Sequence, residues 1–191
     1  MRSHHIAGFS RFWNGYDGET NELGQPHGQG TMTYAVGPLF EFDDEDYDGE
    51  HPLLIGDAVL RFTGEFEDGE ANGLGIQYYS DGGRYEGKFK DNKANGLGVM
   101  YRPDGSVRFK FVYKDDEVNG PGVMYRPDGS VIFECEFKDG KRHGQRIRYY
   151  SDGSVRSKFV YKDDEAVGAG VMYRPDGSVI FECEFKDGRP L

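Results

Sequence analysis

From Tyr85 onward the chain repeats itself. The stretch YEGKFKDNKANGLGVMYRPDGSVR returns 24 residues on, from Phe109, as FKFVYKDDEVNGPGVMYRPDGSVI, and further copies begin at Phe133, Ser157 and Phe181. VMYRPDGSV stands unchanged at Val99, Val123 and Val171. A fixed period of this size marks stacked units, each unable to bury its own apolar face without neighbours on both sides.

Within one unit, Tyr85, Gly87 and Phe89 alternate with Glu86, Lys88 and Lys90, the period-two pattern of a strand with one buried and one wet face. Asp91 to Asn95 is polar and turn-prone. Gly96-Leu97-Gly98-Val99-Met100-Tyr101 reads as a second short strand, closed by Arg102-Pro103-Asp104-Gly105, where Pro presets φ and Gly accepts positive φ. Each unit is thus predicted to be a β-hairpin. The predicted fold class is all-β, an elongated single-sheet ribbon of stacked hairpin repeats. The glycines of Gly96-x-Gly98 read as packing positions, where the missing Cβ lets an aromatic ring from the facing strand lie against the backbone. A phosphate-cradling loop would need a helix N-terminus behind it, and no helical periodicity follows these glycines.

The pattern Tyr-x-Gly-x-Phe, then Gly-x-Gly, then Asp-Gly resembles the MORN repeat (membrane occupation and recognition nexus). The resemblance covers Phe62 to Leu191 and, in looser form, Tyr16 to Tyr34, where Tyr16-Asp17-Gly18 and Gly28-Gln29-Gly30 carry it. Later units depart from it. Gly87 gives way to Phe111, Cys135, Phe159 and Cys183 at successive steps, and Gly144-Gln145-Arg146 lacks the second glycine. Those units look more like the variant MORN repeat, whose mark is Tyr followed by Asp-Gly, as in Tyr149-Tyr150-Ser151-Asp152-Gly153.

Along the chain the expected organisation is a cap or mobile segment over 1–15, a first degenerate unit over 16–39, an acidic insertion or degenerate unit over 40–61, and a regular array over 62–191. Phe9, Phe12 and Trp13 suit a cap over an open sheet edge. Asp44-x-Asp46-x-Asp48-Gly49 has the spacing of the first half of a calcium loop, but Ile55 stands where an EF-hand loop needs Glu, so a solvated acidic loop is the reading adopted. Cys135 and Cys183 share one repeat position two units apart. Their Cα atoms are expected roughly 19 Å apart, too far for a disulfide, and both are expected to fill a small core slot.

A net charge of −11 disfavours nucleic acid and anionic lipid as partners, because neither polyanion gains from an acidic surface. No apolar run approaches the length of a membrane span, and Met1 to Ser10 lacks a signal-peptide core, so a cytoplasmic protein, in contact with cytoskeleton or membrane or not, is expected, with the nucleus as the alternative. The serines and the recurring Asp104, Asp128, Asp152 and Asp176 fall at turns with no positioned base, so neither catalysis nor a cofactor is expected.

The first expectation for function is a scaffold that binds a protein partner, basic or helical, in an aromatic-lined acidic groove. The candidate contacts are Tyr85, Phe89, Tyr101, Phe109, Tyr113, Tyr125, Phe133 and Phe137. A second rests on resemblance. Gly24 to Gly28 with Thr31 to Tyr34, and Phe133 to Tyr150, are similar to the MORN region of a SET-domain lysine methyltransferase, which implies an accessory, substrate-holding role. A third takes the family name at face value and has the repeats bind phospholipid, against the charge. Phe181 to Leu191 reads as half a hairpin with an open edge, which implies a homodimer by sheet extension.

Overall fold

The computed structural model describes residues 13–34 and 59–191. Among the described residues fourteen strands form one antiparallel sheet whose strand order follows chain order. They are β1 (Trp13–Thr20), β2 (Pro26–Tyr34), β3 (Val59–Glu67), β4 (Glu70–Tyr79), β5 (Arg84–Lys90), β6 (Lys93–Tyr101), β7 (Val107–Lys114), β8 (Glu117–Tyr125), β9 (Val131–Lys138), β10 (Lys141–Tyr149), β11 (Val155–Lys162), β12 (Glu165–Tyr173), β13 (Val179–Lys186) and β14 (Arg189–Pro190). The described residues contain no helix, in keeping with the period-two pattern. Asp44, Asp46 and Asp48 lie outside the described residues, as do Phe9 and Phe12.

Contacts divide the chain into two units, one of Met1–Gly105 with Tyr113–Glu117 and one of Ser106–Val112 with Val118–Leu191. In the first, β2 pairs directly with β3, Met32 opposite Phe62, so the two are neighbours in the ladder. The β5–β6 hairpin turns more tightly than the polar stretch Asp91 to Asn95 suggests. Lys90 pairs with Lys93, leaving a two-residue turn in which Asp91 and Asn92 both hold positive φ, 50° and 64°. That mirror-image turn matches the right-handed twist of the flanking strands, and Asp and Asn are the side chains that best tolerate it.

The turn residue also ties one hairpin to the one before. The Asn92 carboxamide oxygen accepts the Ala71 N–H at 2.8 Å while the Asn92 N–H donates to the Ala71 carbonyl at 3.1 Å. Asp116 makes the same pair with Ala94, at 2.7 and 3.0 Å. Asp164 repeats it in the second unit with Arg142.

The other connection is the Pro-Asp-Gly turn. The Gly105 N–H donates to the Arg102 carbonyl at 2.9 Å, and Gly105 holds φ of 84°. A Cβ there would meet nothing within 4 Å, so the backbone alone makes the demand for glycine. Gly105→Val is expected to lower stability by about 1 kcal/mol or more, since a β-branched residue resists positive φ. A urea midpoint equal to wild type would contradict this.

The two glycines of the Gly-x-Gly pair do different things. The Tyr85 ring covers Gly98 so closely that a Cβ would overlap it, which is the packing role expected of both. Gly96 instead holds φ of 106°, opposite a register shift between Gly87 and Phe89, so it is a bulge glycine.

One face of the sheet forms the core. In the first unit Phe62, Phe66, Tyr85, Phe89 and Tyr113 meet edge to face, with Tyr85 to Phe89 and Tyr85 to Tyr113 centroids both 5.7 Å apart. In the second, Phe109 stacks on Phe111 at 4.7 Å, Phe111 touches Phe137, and Phe159 packs on Phe185. Because each ring is walled in by rings two strands away, a single layer hides them.

Cys135 and Cys183 are free thiols in the ladder position of Gly87, opposite Gly122 and Gly170. Burial pushes the Cys135 thiol up to about 12. Such a thiol is a small core hydrophobe and a poor nucleophile. At the far end, β14 pairs with Phe185 and Lys186 and the Leu191 N–H donates to the Glu184 carbonyl, so the start of a second strand covers part of an edge expected to be open.

Candidate interaction faces

The structure places the eight aromatic candidates on opposite faces. Tyr85, Phe89, Phe109, Tyr113, Phe133 and Phe137 are core, none more than 6% exposed. A ring with no accessible surface cannot meet a partner, so the groove these six were expected to line is the interior of the sheet's packed face. Burial accordingly raises the Tyr85 and Tyr113 phenols well above their usual range. Tyr101 and Tyr125 are half-buried and point the other way. Parity separates them: Gly98 and Met100 on β6 face the core, so Tyr101 faces out.

That outer face has an internal order. The even-numbered strands carry apolar rows and a tyrosine, Leu74, Ile76 and Tyr78 on β4, then Leu97, Val99 and Tyr101 on β6. The odd-numbered strands carry polar and charged rows, Arg61, Thr63 and Glu65 on β3, then Arg84, Glu86 and Lys88 on β5. Leu74 and Leu97 are the most exposed apolar side chains of these strands, at 67% and 60%. The guanidinium of Arg61 lies 4.1 Å over the Tyr78 ring and that of Arg84 4.0 Å over Tyr101, the latter also held by Glu86 at 2.7 Å. A stacked, ion-paired arginine is already oriented, so a partner meeting it loses less side-chain entropy.

The second unit breaks the core pattern at β10. Arg142, Arg146 and Arg148 stand on the core face where β6 has Ala94, Gly98 and Met100. Arg142 reaches the Asp164 carboxylate at 3.0 Å and lies over the Tyr161 ring at 4.5 Å, and Arg146 lies over Phe133 at 4.9 Å. Ser157, 4% exposed, replaces the ring of the Tyr85 slot opposite Arg148, which makes room. The loss of the second glycine at Arg146 signals this exchange in sequence, but the hydrophobic pattern does not place Arg142 and Arg146 inside, with Arg148 half-buried beside them.

Reactive chemistry finds little support in the geometry. His27 on β2 lies 3.6 Å from Asp68 and His143 on β10 3.4 Å from Asp163, each aspartate standing in a turn. An open depression of about 390 Å³ includes His27, Glu65 and Glu67 but no Ser, Thr, Cys or Lys. Asp128, Asp152 and Asp176 accept hydrogen bonds from Ser130, Ser154 and Ser178, which hold their carboxyls below the usual range. These carboxylates stabilise turns. Among the described residues no group of three or more His, Cys, Asp or Glu side chains could hold a metal, and no helix is long and apolar enough to cross a membrane.

The family model of the MORN repeat matches residues 22–38, 62–84, 85–107, 113–131 and 160–179, and that of the MORN repeat variant matches 142–163, the stretch that carries the core arginines. No curated protein matches the chain. MORN repeats are generally interaction or membrane-association modules and generally non-catalytic. The matches span more than half of the sequence, and two of them, 62–84 and 85–107, each take in one hairpin, β3 with β4 and β5 with β6, so the chain belongs to the MORN-repeat family.

Proposed function

We propose that this protein is a non-catalytic docking module that receives an amphipathic helix of a protein partner on the outer face of its first unit. The observation that carries the reading is the exposed pair Leu74 and Leu97, backed by Tyr78 and Tyr101 with their stacked arginines. The two leucines sit on strands separated by one other, roughly 9.5 Å. Seven residues of a helix rise about 10.5 Å, so a helix laid across the strands presents apolar side chains at i and i+7 to both leucines. Glu65, Glu86, Arg61, Arg84 and Lys88 then supply a mixed polar rim, which selects register more than it adds affinity.

The test is affinity capture with the wild-type chain beside Leu74→Asp/Leu97→Asp, with flotation on phosphatidylserine vesicles in parallel. Both leucines are exposed, so the variant is expected to fold while losing the captured protein. Equal capture by both chains, or binding to vesicles alone, would sink the reading.

A further inference from the structure

The repeat has a second, longer period. Residues 107–141 return as 155–189, and the two copies differ only at Phe109/Ser157, Val118/Ala166, Asn119/Val167, Pro121/Ala169 and Lys141/Arg189. On the outer face of the second unit this doubling writes an alternation of charge. β7 carries Arg108 and Lys110, β9 carries Glu134 and Glu136, β11 carries Arg156 and Lys158, and β13 carries Glu182 and Glu184, while Lys138, Lys162 and Lys186 end β9, β11 and β13 on the same face, so the alternation belongs to the first two charged positions of each strand. Between them lie the half-buried pairs Val123 and Tyr125 on β8, Ile147 and Tyr149 on β10, and Val171 and Tyr173 on β12.

Neighbouring charged stripes are two strands apart, roughly 9.5 Å. That exceeds the Debye length of about 8 Å at physiological salt, so the stripes neutralise one another weakly within the chain. Lys110, Glu134, Glu136, Lys158, Glu182 and Glu184 are all exposed, and among the described residues none of them takes part in an ion pair. Each strand instead sets two like charges side by side, an arrangement that favours an opposite stripe from outside.

The order basic, acidic, basic, acidic becomes its own charge complement when reversed. A two-fold axis parallel to the strands and over β10 performs that reversal, laying β7 of one copy over β13 of the other and β9 over β11. From this antisymmetry we propose that the outer face of the second unit is a self-complementary surface that binds a second copy of this chain. Ile147 and Tyr149 meet their own equivalents on the axis, and Val123 and Tyr125 meet Val171 and Tyr173. The contact is isologous, so it closes at two copies. It is independent of the helix-docking reading, which uses the first unit.

The test is sedimentation equilibrium of the full chain at tens of micromolar, in low and in high salt, with circular dichroism to check the fold of every variant. The wild type is expected to be a dimer that weakens as salt rises. Glu134→Lys/Glu136→Lys turns the order into basic, basic, basic, acidic and is expected to weaken the dimer roughly tenfold or more. Adding Arg156→Glu and Lys158→Glu gives basic, basic, acidic, acidic, which is again its own complement on reversal, and is expected to restore the dimer. A monomer at low salt, a dimer indifferent to the β9 reversal, or a folded fourfold variant that stays monomeric would each overturn the proposal. A dimer lost in Phe185→Pro but insensitive to the charge variants would place self-association at the β13 edge instead.

Discussion

Tyr85→Ala is expected to lower stability by about 3 to 5 kcal/mol, the range for emptying a core aromatic site. Tyr85 is fully buried, touches Phe89 and Tyr113 edge to face, and covers the bare backbone of Gly87 and Gly98. Neither glycine has a side chain to move into the hole, so little relaxation offsets the loss. Tyr85→Phe separates ring from hydroxyl. The Tyr85 hydroxyl is buried with no hydrogen-bond partner among the described residues, so removing it relieves a desolvated polar group and is expected to leave stability unchanged or raise it by about 1 kcal/mol. Urea melts of the two variants beside wild type decide the matter. A Tyr85→Phe that is as damaging as Tyr85→Ala would show that the hydroxyl holds a bond the geometry does not contain.

Asp116→Ala is expected to cost about 2 to 4 kcal/mol. Two penalties add at this position: alanine must hold φ of 70°, at roughly 1 kcal/mol, and the Ala94 N–H loses its acceptor in a buried setting, at about 1 to 3 kcal/mol. The chain itself supplies the control. Asn92 holds the equivalent turn position, with positive φ and the same bond to Ala71, so Asp116→Asn should stay within about 1 kcal/mol of wild type. Amide exchange at Ala94 reads the bond directly, and protection there that survives in Asp116→Ala would refute the tie between hairpins.

The polar stretch Asp91 to Asn95, which recurs 24 residues on around Asp116, reads in sequence as a generic turn. Its sequence contains the preference of Asn and Asp for left-handed backbone, which predicts the turn type. It does not contain the distance from Asp116 to Ala94, because those residues meet only when consecutive hairpins pair. The arginines of β10 are a harder case. Arg142 and Arg146 interrupt every hydrophobic template, and only the Asp164 carboxylate, the Tyr161 and Phe133 rings and the small Ser157 explain why that face accepts them. No window of sequence joins residues brought together by three neighbouring strands.

What the sequence determined is everything local to one unit and whatever copying a unit implies: the strand alternation of Tyr85 to Phe89, the glycine under an aromatic ring, the Pro-Asp-Gly turn, the shared slot of Cys135 and Cys183, and hence an antiparallel sheet in chain order. Which aromatics could touch a partner was decided only in three dimensions. Tyr85 and Tyr101 belong to one hairpin and look alike as letters, yet one is fully buried and the other half-exposed. The alternation of a strand assigns residues to two faces without saying which face neighbouring strands will wall in. That depends on rings from β3, β5 and the Tyr113 segment closing over one another, and burial of this kind is a property of the assembled sheet, not of any strand within it.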